Sequence, residues 1–232
     1  FIRMGLRIRG NAAQLDRLGI LPAFYSACYP PFDFFSLARS VSKFSTDLYD
    51  CPELLQKACE ASLAPTLATA MQSLMPTNGK RVCIYPMRSS VTFISPKMFE
   101  KMSLPYLKQM VEFFVNKGIT PIIHCDANWT PLLHYFRELP QAKCILELDG
   151  DTDIFKAKEI LGDWMCLKGD VPAQMLAFGE VGEVEAYCEK LIREVGKGGG
   201  FILGSGCEVP LNAKVENVQA MIRVGRGTAK AG

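Results

Sequence analysis

Four runs decide the fold: Ile119-Thr120-Pro121-Ile122-Ile123-His124-Cys125-Asp126, Lys143-Cys144-Ile145-Leu146-Glu147-Leu148-Asp149, Trp164-Met165-Cys166-Leu167-Lys168-Gly169-Asp170 and Gly200-Phe201-Ile202-Leu203-Gly204-Ser205-Gly206-Cys207. Their strands read as Ile119–Cys125, Lys143–Leu148, Trp164–Lys168 and Gly200–Gly204, each a short apolar stretch that leads into polar or metal-binding residues. Helical patterns stand between them at Thr130–Glu138, Asp153–Leu161 and Val181–Val195. Short apolar strands that alternate with helices predict a parallel sheet covered on both faces.

Working outward, a strand is expected near Arg81–Tyr85. A helix over 51–75 is opened by Pro52 after Asp50. Another helix starts at Ser95-Pro96 and runs towards Lys117, and a terminal helix lies near Val215–Val224. Residues 11–18 read as a helix end closed by Gly19, before an apolar strand from Ile20 to Ser26. The aromatic segment Cys28-Tyr29-Pro30-Pro31-Phe32-Asp33-Phe34-Phe35-Ser36 reads as a loop because of its two prolines. This makes about six strands. The expected fold is α/β, a (β/α)8 TIM-type barrel forming a single domain over 1–232, with about two further strands needed before Phe1. An open doubly wound sheet is the competing architecture, but no glycine-rich phosphate fingerprint follows the first strand. The chain opens on Phe1, within a stretch (Arg3 to Arg17) that reads as the middle of a helical region. A piece of a longer protein, lacking its N-terminal portion, is therefore expected.

Of the 232 residues, 49% are hydrophobic and 22% charged, with a net charge of +2. Such a balance suits a soluble enzyme and argues against nucleic-acid or membrane partners. The nine cysteines are odd in number and lie largely inside apolar runs, with no paired framework. They point to a reducing, cytoplasmic compartment.

In a parallel barrel the C-terminal strand ends share one rim, where chemistry is placed. That rim collects His124 and Asp126, then Glu147 and Asp149, then Lys168-Gly169-Asp170, then Ser205-Gly206-Cys207. His124 and Asp126, two apart on an extended backbone, point the same way. With Glu147 and Cys207 they offer N, O, O and S donors, a set that suits Zn2+. The plainer reading makes His124 a hydrogen-bonded rim residue and Cys207 a passive thiol. The aromatic segment reads either as a platform for a flat substrate or as a hydrophobic plug. Asp33 within it needs a partner, for which Arg88 and Arg39 are candidates. Asp153 or Thr152 is a natural N-cap for the helix that follows.

Several of these segments together resemble the uroporphyrinogen decarboxylase superfamily, which includes the zinc-dependent corrinoid methyltransferases. They are Pro30-Pro31-Phe32-Asp33-Phe34-Phe35, the Ser95-Pro96 helix start, Ile122-Ile123-His124-Cys125-Asp126, Lys168-Gly169-Asp170-Val171-Pro172, Ile202-Leu203-Gly204-Ser205-Gly206-Cys207 and Glu216-Asn217-Val218. The resemblance implies a (β/α)8 barrel. The true decarboxylases carry a His in the final Gly-His-Gly turn, where this chain has Ser205. The methyltransferase branch uses a His-x-Cys pair, an acidic residue and a Cys after the final strand. Here His124 and Cys207 match, Glu147 falls at the acidic position, and Asp126 stands where the second Cys is expected.

The resemblance implies Lewis-acid activation of a thiol, hydroxyl or ether oxygen by Zn2+ held by His124, Asp126, Glu147 and Cys207. A corrinoid on a separate partner protein would accept or donate the methyl group of a small molecule. Asp126 and Asp33 are the expected catalytic residues, and Phe32, Phe34, Arg88 and Asp170 the expected substrate contacts. The alternatives are a porphyrinogen decarboxylase that needs no metal, and a non-catalytic barrel. The last is favoured if His124 and Cys207 lie more than ~8 Å apart, since zinc ligands must sit within ~2.3 Å of one ion.

Overall fold

Each apolar run is followed by a helix-forming segment instead of a two-residue turn, so the strands pair in parallel. The structure, a computed structural model, describes residues 14–228 apart from 16 and 78. Its strands are β1 (Ser26–Cys28), β2 (Arg81–Ile84), β3 (Thr120–Cys125), β4 (Ile145–Leu148), β5 (Cys166–Val171) and β6 (Phe201–Ser205). Its helices are α1 (Pro31–Arg39), α2 (Val41–Asp50), α3 (Pro52–Leu74), α4 (Pro96–Met102), α5 (Leu104–Asn116), α6 (Ile154–Leu161), α7 (Ala173–Phe178), α8 (Val181–Glu194) and α9 (Val215–Thr228), with a 3-10 segment at Thr130–Glu138. The chain is thus an α/β protein with six parallel strands among the described residues.

It falls into two compact units. The first takes the residues up to Ser89 together with Phe93–Ile123, and the second takes Ser90–Thr92 and everything from His124 on. In the first, β1 pairs with β2 (Ser26↔Val82) and β2 with β3 (Cys83↔Ile122). Val82, Cys83, Ile84 and Ile123 are wholly buried, as strands covered on both faces should be. Helix α3 is tied to β1 by the Ser26 hydroxyl, which donates to Ala70 O at 2.9 Å. In the second unit, β4 pairs with β5 (Glu147↔Lys168) and β5 with β6 (Asp170↔Gly204). Asn217 on α9 donates from Nδ2 to the carbonyls of Met175, Leu176 and Gly179, which fastens α9 to α7.

Several boundaries differ from expectation, each for a physical reason. The aromatic segment is not a loop: Pro31 opens α1, where a missing N–H costs nothing because the first turn has no acceptor for it. Strand β1 covers Ser26–Cys28 and not Ile20–Ser26. Pro22 interrupts the earlier run, Leu21 is exposed, and Pro22 O accepts from Arg81 Nη2 instead. The helix expected from Ser95 to Lys117 divides at Ser103, ahead of Pro105. Helices α2 and α7 were not anticipated. Strand β5 continues past Lys168 to Val171, so Asp170 lies inside the strand and not beyond its end. The helix end expected over 11–18 lies partly outside the described residues; Gln14, Leu15 and Arg17 are helical and Gly19 takes φ +67°. Asp153 caps α6 as expected, accepting from Phe155 N and Lys156 N.

Candidate metal centre

The main stretch of the second unit starts at His124, the penultimate residue of β3, whose side chain is buried. Its Nε2 lies 3.1 Å from Asp126 Oδ1 and 3.6 Å from Cys207 Sγ. One donor atom from each of His124, Asp126 and Cys207 falls within 4.8 Å of the others, and this is the one such cluster of three or more among the described residues. A separation above ~8 Å would have favoured a non-catalytic barrel; the observed distance is less than half of that. The donor set, one imidazole, one carboxylate and one thiol, is of a kind that Zn2+ accepts.

Asp126 is held by its own loop. Trp129 Nε1 donates to Asp126 O at 2.8 Å, and the buried Thr152 hydroxyl accepts from Trp129 N and donates to Ala127 O, both at 2.9 Å. Asp149 Oδ2 accepts from Ala127 N at 2.6 Å and Oδ1 from Asp151 N at 3.0 Å. Burial pushes the Asp149 carboxyl above its ordinary value, and these two N–H groups partly offset that. Cys207 is brought in by close backbone approach. A Cβ on Gly206 would lie 2.5 Å from Asp149 O, so only glycine lets the turn after β6 rest on the turn after β4. The same holds one strand over, where Gly169 (φ +130°) leaves 2.5 Å between such a Cβ and Leu148 O.

Glu147, expected among the ligands, stands on the other side of the imidazole. Its Oε2 is 3.3 Å from His124 Nδ1, and its Oε1 takes an ion pair from Lys168 Nζ. It is not part of the three-donor cluster. For His124, burial opposes the charged form, but the hydrogen bond and charge of Asp126, followed by Cys207, outweigh it and raise the pKa.

The remaining expected site residues lie elsewhere. Asp170 is buried in β5 and accepts from Tyr187 Oη at 2.8 Å, an interaction that ties α8 to the strand. Burial raises its carboxyl to about 6, against the lowering effect of Tyr187. Asp33, in the first unit, is fully buried on α1. Its partner is not a guanidinium: Arg88 donates its main-chain N–H at 2.7 Å and Ser89 its hydroxyl at 2.9 Å. Burial pushes Asp33 up to about 7 despite these bonds. With both carboxylate oxygens engaged and no exposure, Asp33 anchors the segment after β2 and is not free to meet a substrate. The Arg88 guanidinium donates to Ser36 O at 2.7 Å, and Arg39 pairs with Asp47. Phe32 is fully buried and packs edge-on against Phe44 at 4.9 Å, so it is core; Phe34 is half-exposed.

Sequence reading set Lys168 and Gly206 on the rim and Thr152 at a helix cap, but gave none of them a part in holding the site. Lys168 had a usable signal, because strand ends set level with one another place it opposite Glu147, an opposite charge at a neighbouring buried position. No helix among the described residues is long and apolar enough to cross a membrane.

Comparisons with known proteins bear on the family and the fold. The uroporphyrinogen decarboxylase family model matches residues 23–227. The chain is 25% identical over 134 residues to uroporphyrinogen decarboxylase of Coxiella burnetii, covering 56% of this chain and 36% of that protein. It is 24% identical over 195 residues to the chloroplastic uroporphyrinogen decarboxylase 2 of Oryza sativa subsp. japonica, covering 82% and 47%. It therefore spans less than half the length of these curated relatives. Among solved structures, a methyltransferase from Methanosarcina mazei superposes with a TM-score of 0.77 at 18% identity, covering 96% of this chain and 64% of that one. That likeness gives a fold of the TIM-barrel type and sets aside the doubly wound alternative. With the family model matched across nearly all the described residues, the chain belongs to the uroporphyrinogen decarboxylase family.

Proposed function

We propose that this chain belongs to a metal-dependent methyltransferase in which His124 Nε2, Asp126 Oδ1 and Cys207 Sγ hold Zn2+, with a corrinoid on a partner protein accepting or donating the methyl group of a small molecule. The observation that carries the reading is the convergence of these three donors. Two ligands of one tetrahedral zinc ion are about 3.3–3.7 Å apart, and His124 and Cys207 stand at 3.6 Å. When bound, zinc supplies Lewis acidity to a thiol, hydroxyl or ether oxygen.

The chain's own residues do the positioning. Three protein donors leave one position of a tetrahedron for substrate. Cys207 is exposed, so the cluster is open to solvent on its side. Asp126 is held by Trp129 through its carbonyl, and its loop by Asp149 and Thr152, so its carboxylate needs little reordering to bind. Asp126 in place of a second thiolate makes the donor set harder, which favours an oxygen-linked methyl group over a thiol.

Metal analysis of the purified protein tests the proposal. One zinc per chain is expected, with loss of the metal in His124→Ala and Cys207→Ala. A wild-type protein without stoichiometric zinc, or variants that both keep it, overturns the reading. The second reading is a metal-independent decarboxylase, favoured by the names of the curated relatives. Ser205 at the position of the decarboxylases' His weighs against it, and decarboxylation of a porphyrinogen by zinc-free protein is the result that would establish it.

A further inference from the structure

We infer that Glu147 orients His124 and is not a metal ligand, and that Lys168 keeps it in that role. This deepens the zinc reading proposed above and rests on it, except for the measurement on metal-free protein described below.

Glu147 and Lys168 are register partners on β4 and β5, with side chains only 10% and 18% exposed, and they form an ion pair. The other carboxylate oxygen of Glu147 faces His124 Nδ1 at 3.3 Å. Asp126 and Cys207 are on Nε2, the opposite side of the ring. A carboxylate oxygen set on Nδ1 cannot ligate an ion on Nε2 without giving up its place against Nδ1. Where it stands, it takes the Nδ1 proton, fixes the tautomer and leaves the Nε2 lone pair aimed at the donor cluster.

Charge favours the same arrangement. Asp126 and a Cys207 thiolate balance a dication, and Glu147 and Lys168 balance each other. Glu147 as a fourth ligand would bring a third anionic donor to the ion and weaken its ion pair with Lys168. Lys168 is accordingly a positioning residue that acts through Glu147.

Two measurements test this. The first uses metal-free Asp126→Ala protein, which lacks the carboxylate that competes for the proton at Nε2, and long-range 15N NMR of the imidazoles above pH 8. The chain has only two histidines, so His124 is readily assigned by comparison with His134→Gln. The Nδ1–H tautomer of His124 is expected in this background and a mixture of tautomers once Glu147→Gln is added; an Nε2–H tautomer with Glu147 in place overturns the inference whatever the protein's metal content.

The second measures zinc affinity by competition with a chromophoric chelator, together with the absorption of the cobalt-substituted protein. Glu147→Gln should keep one metal with affinity about 10–100-fold weaker, the usual effect of losing a hydrogen-bonding partner of a ligand. Its cobalt bands should keep their positions. Lys168→Met should weaken zinc similarly, Lys168→Arg should restore it, and the double variant should be no weaker than Glu147→Gln alone. Loss of metal in Glu147→Gln, or displaced cobalt bands, marks Glu147 as a ligand and overturns the inference while leaving the zinc site standing. Additive losses in the double variant overturn the part given to Lys168. If Lys168→Met does not fold, the Glu147→Gln arm decides.

Discussion

His124 Nε2 and Cys207 Sγ stand 3.6 Å apart although 83 positions separate them in the chain. The exposure of the thiol turns this into an experiment. Of the nine free cysteines, Cys207 is the exposed one, Cys51 and Cys166 are partly covered, and the rest are buried. Brief iodoacetamide treatment of chelator-stripped protein should modify Cys207 first, as read by peptide mass spectrometry. Zinc at one equivalent should slow that modification at least tenfold without changing the rate at Cys51. Equal rates with and without zinc would remove Cys207 from the ligand set.

Gly206 brings the thiol into place. A methyl group there would meet Asp149 Cα, C and O at 2.5–2.7 Å, all backbone atoms that cannot swing away. Gly206→Ala should therefore move the turn, costing about 1–3 kcal/mol, the usual range for overpacking. It should also weaken zinc more than Gly182→Ala, a control glycine whose Cβ meets nothing within 4 Å. Denaturant titration and chelator competition on the two variants make the comparison; equal behaviour would show that the turn yields.

Ala127 shows strain at the site. It takes φ +65°, a left-handed conformation that disfavours a residue with a Cβ. Its N–H is bonded to Asp149 and its carbonyl to Thr152, which together hold it there. Ala127→Gly should stabilise the protein by about 0.5–1 kcal/mol, the relief of strain less the added entropy of unfolded glycine. A lower thermal midpoint in the variant would contradict this.

The strand–helix alternation was legible because both signals are local: apolar runs too short for helices, and periodic segments between them. The four rim residues could be grouped because a parallel topology sends strand ends to one side. What the residues could not convey was which way a side chain turns once there. Glu147 and Asp126 both sit at strand ends, yet they face opposite nitrogens of His124, a difference fixed by the Lys168 partner and by the Ala127 loop. Phe32 and Phe34 look alike in sequence, but the helical turn from Pro31 buries the first against Phe44 and leaves the second half-exposed. Asp33 attracted attention as a carboxylate among aromatics. Of its candidate partners Arg88 does reach it, 55 positions away, but through the main-chain N–H, and the Ser89 hydroxyl beside it has no charge to mark it.

Asp33 also gives the protein a pH dependence whose sign can be worked out. Its folded-state pKa, about 7, exceeds the ordinary 3.8 because burial penalises the carboxylate. The folded state therefore binds the proton more tightly than the unfolded chain. Its contribution to stability is fully present below about pH 4, declines as pH rises through 7, and is flat beyond. Asp33→Asn keeps an acceptor for Arg88 N and offers an amide to Ser89, so the hydrogen-bonded chain to Ser103 survives. Urea titrations at pH 5 and pH 8 should show the wild type losing stability between the two, by on the order of a few kcal/mol. Asp33→Asn should lose markedly less. Asp170, raised to about 6, adds its own slope to both proteins and cancels in the comparison. Parallel slopes in the two proteins would mean that Asp33 stays ionised in the fold, stabilised by Arg88 N and Ser89 more strongly than burial disfavours it.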